Sequence, residues 1–234
     1  MKYTAVVPAR SGSKRLPDKN VRILGGKPLA VWTLEACVDS GKVDEVIFST
    51  DSMEYWDLVR GYVTSDKLTL DYRTPSQAGD NVKIFDYLKG ESVKIFEDRQ
   101  GCFLLALPTC PFRETKHIDE AIALHEQTGS AVFSATPFEF SVNFAFNLSE
   151  AGWTSLLPDS PMITGNTRGQ DQMGAFHPNG AIYVRKIADL LNSGLKTLYD
   201  EATPYIMTRD ESTDIDEESD FLLAEALISA KVQG

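Results

Sequence analysis

Thr4-Ala5-Val6-Val7-Pro8 runs without a break into Ala9-Arg10-Ser11-Gly12-Ser13-Lys14-Arg15-Leu16-Pro17-Asp18-Lys19-Asn20. The first five residues carry no alternating polar face, so Thr4–Pro8 reads as a strand covered on both sides, the habit of a parallel sheet. The loop that follows has small residues and cations at the end where such sheets bind ligands.

Outward from this stretch, Glu45–Thr50, Lys67–Asp71, Cys102–Leu107, Ala131–Ala135 and Ala181–Val184 read as further strands. Leu29–Ser40, Met53–Val63, Val82–Lys89 and His117–Gln127 between them have helical spacing, with Val31, Leu34 and Val38 on one face of the first. Thr115 is the expected N-cap of the fourth. The alternation predicts an α/β fold, a Rossmann-like, mainly parallel sheet flanked by helices. It fails over 138–177, where Phe138, Phe140, Phe144, Phe146 and Trp153 precede Pro158 and Pro161. That stretch is long for an ordinary connection. We expect a single domain over 1–234 with 138–177 as an inserted arm that packs on a second subunit, against the rival of an arm folded back on its own sheet.

The chain has 234 residues, 42% hydrophobic and 24% charged, which suffices for one sizeable core. Its net charge of -11 argues against nucleic acid as a partner, since phosphate-backbone binding needs a broad basic surface. The absence of an 18-residue apolar run argues against a membrane-spanning helix, and the apolar part of MKYTAVVPAR is short for a signal peptide. Cys37, Cys102 and Cys110 lack metal-type spacing and read as reduced, buried residues, so a cytoplasmic location is expected. Against the acidic background stands a local basic cluster of Arg10, Lys14, Arg15, Lys19 and Arg22, with Asp18 its one acid. Focused charge of that sign suits a small polyanion, although a solvated basic loop has the same composition.

Ser11, Gly12 and Ser13 leave backbone N–H groups accessible to phosphate oxygens, while Arg10 and Lys19 neutralise them. The pattern is neither G-x-x-x-x-G-K-[ST] nor G-x-G-x-x-G. Gly25 and Gly26 read as a turn before a helix opened near Pro28. Near the other end comes Ser212-Thr213-Asp214-Ile215-Asp216-Glu217-Glu218. If extended, Asp214 and Asp216 share a side and suit Mg²⁺ together with substrate phosphates. Alternatively, Thr213 and Asp216 begin a capped helix over Glu217–Ala230.

PARSGSKRLPDKNVRILGGKPL resembles the opening nucleotide-binding signature of the CMP-sialic acid (CMP-N-acylneuraminate) synthetases. VIFSTD (Val46–Asp51), LALPTCPFR (Leu105–Arg113), HPNGAIYV (His177–Val184) and TDIDEESDF (Thr213–Phe221) follow in the order of later family blocks. The resemblance implies a nucleotide-diphospho-sugar transferase type of fold. It also implies a metal-dependent cytidylyltransferase: the anomeric hydroxyl of a nine-carbon keto acid attacks the α-phosphate of CTP, releasing pyrophosphate. Arg10, Lys19 and Asp216 are then the catalytic set, with Arg10, Ser11, Gly12, Ser13, Lys19, Asn20 and Arg73 on the nucleotide. Asp214 and Asp216 take Mg²⁺ (or Mn²⁺). Arg168, Gln170, Asn179 and Tyr183 face the sugar, with Arg168 suited to its carboxylate. A homodimer through the 138–177 arm is expected from its aromatic residues. No histidine is needed as base, and His117 and His125 are expected on the surface or in packing.

Two positions depart from the family pattern. Leu107 stands where relatives that use N-acetylneuraminate carry glutamine, and His177 stands where arginine is frequent. Leucine removes an amide contact, so a related acid with deoxy substituents is the expected sugar. The rival readings are a cytidylyltransferase for an eight-carbon keto acid (Kdo type) and a non-catalytic nucleotide-binding module of the same fold.

Overall fold

The computed structural model describes residues 1–79, 82–90, 94–96, 100–192 and 194–233. The strands are β1 (Tyr3–Pro8), β2 (Ile23–Leu24), β3 (Lys27–Pro28), β4 (Glu45–Thr50), β5 (Leu68–Tyr72), β6 (Cys102–Leu105), β7 (Ala131–Pro137), β8 (Phe146–Ser149), β9 (Gly152–Ser155), β10 (Phe176–Lys186) and β11 (Ala202–Ile206). The helices are α1 (Leu29–Val38), α2 (Met53–Arg60), α3 (Ile84–Lys89), α4 (Thr115–Thr128), α5 (Pro161–Thr164), α6 (Ile187–Asn192) and α7 (Glu218–Gln233).

Seven strands form one sheet in the order β11-β7-β10-β6-β1-β4-β5. All neighbours are parallel except β10, which runs antiparallel to both β6 and β7. The mainly parallel sheet is as expected from the continuous apolar strands. β11 was not among the expected strands: Ala202–Ile206 is a partly exposed edge with a proline, so it lacks the apolar run of the inner strands.

Side-chain alternation along β1 sends Ala5 and Val7 to one face and Val6 to the other. On the first face they meet α1 and α4 through Val31, Leu34, Ile118 and Ile122. On the second, Val6, Ile47 and Phe103 pack with Tyr87, Leu88, Ile187 and Leu190. Complete burial of a residue such as Phe48 contributes about 1.5–3 kcal/mol each time it recurs, which is why the sheet rather than its edges is the rigid frame.

A third cluster decides where the site forms. Leu16, Leu24, Leu29, Phe112, Ile215, Phe221 and Ala224 pack together, so the basic loop, the turn after β6 and the start of α7 share one core. Gly25 and Gly26 close the β2–β3 hairpin with φ of 57° and 90°. A side chain at Gly25 would meet Ile228 Cγ2 at 2.9 Å, so α7 packs against bare backbone there.

Two expected caps are placed differently. Thr115 lies inside α4, its hydroxyl donating to Ala36 O at 3.2 Å, and Glu114 is the N-cap, its N–H donating to His117 Nδ1 at 2.9 Å. Asp216 does not cap α7 either. The Asp220 carboxylate reaches back to the N–H groups of Asp216 and Glu217 at 2.9 and 2.8 Å, which leaves the Asp216 side chain for other partners. His117 and His125 are buried packing residues. All three cysteines are buried and free.

Segment 138–177 carries the β8–β9 hairpin, α5 and several exposed apolar side chains: Phe140 is 68% exposed, Leu148 80% and Met173 83%. Among the described residues, no helix is long and apolar enough to cross a membrane.

Candidate active site

Because β1 is parallel to both neighbours, its C-terminal end opens at the same edge as those of β4 and β6. The loop after β1 folds over that edge. Asn20 is buried and its Nδ2 donates to Arg10 O at 3.0 Å, closing the loop on itself. At the loop's start, Ser11 donates its N–H and its hydroxyl to Asp51, at the end of β4, at 2.8 and 3.0 Å.

The chain's far end meets this loop. Ile215 N–H donates to Thr109 O at 2.8 Å, and its side chain enters the third core. Ile215 is buried while Asp214 and Asp216 on either side of it reach solvent, and the two carboxylates are close enough to repel. Lys19 Nζ donates to Asp216 Oδ1 at 2.9 Å and to Ile215 O at 2.8 Å, and Arg15 Nη2 donates to Asp216 Oδ2 at 2.9 Å. Arg22 grips Glu218 through two nitrogens at 2.5 and 2.6 Å while lying over the Phe221 ring. Residues 212–216 form neither helix nor strand, and Asp216 spends its side chain on Lys19 and Arg15 rather than on a helix cap.

Two adjoining hollows of ≈ 320 and ≈ 270 Å³ share Arg10, Ser13, Arg15, Lys19 and Asp216 as walls. The first adds Lys14, and the second adds Asn20, Arg73 and Thr109. Arg73 is 5% exposed, lies over the Tyr87 ring and donates to Ser49 O at 3.0 Å. Its buried Nε has no hydrogen-bond partner among the described residues, a costly condition that an acceptor in the hollow would relieve. Five cations thus face a cleft in a strongly acidic chain. That arrangement fits a polyphosphate far better than a neutral ligand.

The two aspartates differ in electrostatic state. Desolvation would lift the Asp216 carboxyl, but Lys19 and Arg15 outweigh it and hold it below its ordinary value. Asp214 is reached by solvent, yet neighbouring protein atoms take enough water from its carboxyl to lift it, and Asp216 adds to the rise. The Thr109 hydroxyl and Lys19 oppose that rise without overcoming it. Asp214 has no ion-pair partner among the described residues, so a pair of carboxylates has one charge lacking a close cation. A divalent ion with oxygen ligands fits this donor set, and phosphate oxygens and waters would complete its shell. Among the described residues, no group of three or more histidine, cysteine, aspartate or glutamate side chains suited to a metal exists.

A third hollow of ≈ 290 Å³ lies across a wall formed by Ile84 and Leu107, which line both it and the second cation-lined hollow. Phe85, Leu198, Tyr183 and Tyr199 make it largely apolar, and Lys83 and Lys196 stand at its rim. Tyr183 and Tyr199 hydroxyls are 3.1 Å apart. Gly180, at φ 75°, lets β10 pass Leu107 closely: a side chain there would meet Leu107 Cδ1 at 3.3 Å.

The expected site residues separate into three groups. Arg10, Ser13, Lys19, Asn20, Arg73 and Asp216 line the two cation-lined hollows, with Ser11 and Asp214 adjoining and Gly12 exposed on the loop. Tyr183 lines the apolar hollow, whereas Asn179 is buried and donates to Ser212 Oγ at 2.8 Å, fastening the segment that leads to Asp214. Arg168 and Gln170 are exposed on the arm and line none of these hollows. Three residues around the site were not among those expected. Asp51 holds Ser11, Thr109 steadies Asp214, and Arg113 donates from one buried nitrogen to Leu107 O at 3.2 Å and Ala181 O at 3.0 Å. Asp51 and Thr109 sit in the quoted blocks VIFSTD and LALPTCPFR, but nothing in spacing alone gives them a partner.

Residues 4–82 match a family model described as cytidylyltransferase. CMP-N,N'-diacetyllegionaminic acid synthase of Legionella pneumophila is 31% identical over 97% of this chain and 97% of its own. The chain belongs to the cytidylyltransferase family. N-acylneuraminate cytidylyltransferase of Escherichia coli is also 31% identical, over 95% of this chain, which spans about half (51%) of that longer relative. A CMP:2-keto-3-deoxy-manno-octonic acid synthetase solved with CTP superposes with a TM-score of 0.71 over 99% of this chain and 100% of its own, at 14% identity. That likeness speaks for the fold of this family member: a mainly parallel seven-stranded sheet with its basic loop at the strand ends.

Proposed function

We propose that this chain transfers CMP from CTP to the anomeric hydroxyl of a nonulosonic acid, a nine-carbon acidic sugar, and releases pyrophosphate. The observation that carries this reading is the meeting of Lys19 and Arg15 with Asp216, beside Asp214, in a cleft lined by Arg10 and Arg73. The identity to nonulosonic-acid cytidylyltransferases supports the substrate class.

In this reading the sugar hydroxyl loses its proton as its oxygen bonds to the α-phosphorus, and the bond to the β-phosphate bridge breaks. Arg10, Lys19 and Arg73 bind the triphosphate and offset charge that grows on the leaving pyrophosphate. Backbone N–H groups around Ser11, Gly12 and Ser13 orient it, and Asn20 keeps the loop closed. Asp214 and Asp216 hold Mg²⁺ or Mn²⁺, which, when bound, acts as a Lewis acid on phosphate oxygens. Lys19 and Arg15 orient Asp216 by occupying its two oxygens.

The sugar sits in the apolar hollow beyond Leu107, with Tyr183 against it. Leucine and phenylalanine walls suit methyl or acyl substituents and offer little to an additional hydroxyl, so a deoxy acid is the preferred acceptor. Asn179 supports this site from behind through Ser212. Arg168 and Gln170 reach the acceptor from the arm of a second copy, in a homodimer that covers the exposed aromatic residues of 138–177. The buried free cysteines favour a cytoplasmic setting.

A pyrophosphate-release assay with CTP, Mg²⁺ and a panel of deoxy, fully hydroxylated and eight-carbon keto acids tests the reading. The highest kcat/KM is expected for a deoxy nine-carbon acid. Preference for N-acetylneuraminate would overturn the choice of acceptor, and CTP binding without turnover on any acceptor would overturn the reaction.

A further inference from the structure

Two non-glycine residues among the described ones have positive φ, and one of them, Asp18 at φ 52° and ψ 26°, lies inside the phosphate loop. The left-handed region is uphill for a residue with a side chain, so a non-glycine residue stays there when its surroundings hold it. Asp18 immediately precedes Lys19, and its carbonyl accepts from the N–H groups of Val21 and Arg22, both at 3.0 Å. Its backbone therefore sets the direction in which Lys19 leaves the loop.

What holds Asp18 comes from outside the loop. Tyr55 is 6% exposed in the first turn of α2, where its N–H donates to the Ser52 cap at 3.2 Å. Its hydroxyl donates to Asp18 Oδ1 at 2.7 Å and lies 3.4 Å from Ser11 O. Asp51, four residues earlier, accepts from Ser11. The two ends of the cation-bearing loop are thus fastened to one rigid corner between β4 and α2. Neither Tyr55 nor Asp51 lines a cation-lined hollow.

We infer that Tyr55 is a positioning residue for nucleotide binding: by holding Asp18 in the left-handed conformation it keeps Lys19 and Arg15 turned into the cleft. Burial and the Asp18 carboxylate both raise the phenol's pKa, so the hydroxyl remains a donor over the working pH range. The inference rests on the proposed function only for the choice of CTP as ligand.

The test compares CTP affinity by calorimetry in the presence of Mg²⁺ with steady-state kinetics. Tyr55→Phe is expected to weaken CTP about tenfold, the scale of one lost hydrogen bond to a charged group. The acceptor KM is expected to stay within about twofold, since the phenol does not touch the sugar. Adding Asp18→Gly to Tyr55→Phe is expected to recover CTP affinity to within about threefold, because glycine occupies the left-handed region freely. A phenol that merely supports the fold would not be rescued by glycine in a different element. Asp18→Ala, which removes the acceptor and disfavours that conformation, is expected to match Tyr55→Phe, and it decides the matter if Tyr55→Phe folds poorly. Unchanged CTP affinity in either single variant, or a double variant no better than Tyr55→Phe, overturns the assignment. If the wild-type protein binds CTP yet releases no pyrophosphate with any acceptor, the proposed reaction falls while these affinities still decide the role of Tyr55.

Discussion

Lys19 Nζ lies 2.9 Å from Asp216 Oδ1, an ion pair between residues 197 positions apart in the chain. It exists because Leu16 and Ile215, neighbours of the two partners, are buried in the same small core. The pair stands in a cation-lined cleft, so its value lies in placing charge rather than in stabilising the fold.

Replacement of Lys19 by Met keeps the aliphatic stem and removes the cation. We expect kcat/KM for CTP to fall on the order of a hundredfold, the scale of one donor aimed at developing charge. Steady-state pyrophosphate release, checked beside an unchanged circular-dichroism spectrum, measures it. A loss below threefold would show that Lys19 is not aimed at the triphosphate.

Asp214→Asn and Asp216→Asn preserve shape and remove a charge each. Both are expected to suppress turnover, most severely at limiting Mg²⁺, with the fold intact. Normal activity of both variants across a Mg²⁺ titration would remove the metal role from this pair.

Ile215 is completely buried between the two carboxylates. Truncation to Ala leaves a cavity in the third core and is expected to destabilise the protein by about 2–5 kcal/mol. Urea denaturation measures that change, and CTP affinity is expected to fall with it because both aspartates hang from this anchor. An Ile215→Ala protein with wild-type stability would mean the third core does not hold the site together.

Glu211 gives a pH dependence with a definite sign. Burial opposes its charge, but the Thr208 hydroxyl and Lys116 outweigh burial and take its pKa from 4.5 to about 2. A depressed carboxylate stabilises the fold above its unfolded value, so this contribution is present above pH 4.5 and is lost as pH falls towards about 2. The stability gap between wild type and Glu211→Gln is expected to narrow over that window in denaturation series. A gap that stays constant from pH 5 to 2.5 (roughly the span in which such a group titrates) contradicts the assignment.

The exposed apolar side chains of 138–177 predict association. Light scattering is expected to report a dimer, and Trp153→Asp with Leu148→Asp is expected to shift it to monomer while leaving CTP affinity unchanged. A wild-type monomer at high concentration speaks against the arm as an interface.

Much of the sheet was legible because β1, β4 and β6 are apolar on both faces, and double burial leaves an unbroken hydrophobic run in the sequence. β11 was not, since an edge strand beside solvent needs no such run. Thr115 looked like a cap because its residue type is right, but its hydroxyl found Ala36 O and Glu114 took the position. Asp216 had two readings of nearly equal merit in isolation.

The sequence alone determined which groups exist: a basic loop after the first strand, a doublet of aspartates near the far end, and an order of motifs shared with a family. Tertiary structure decided how they work. Asp220 relieved Asp216 of capping, the Leu16–Ile215 core carried it to Lys19, and Tyr55 and Asp51 fastened the loop from a different element. Local spacing records the conformations a segment favours, whereas contacts across 197 residues depend on which buried surfaces pack together, and that is a property of the whole chain.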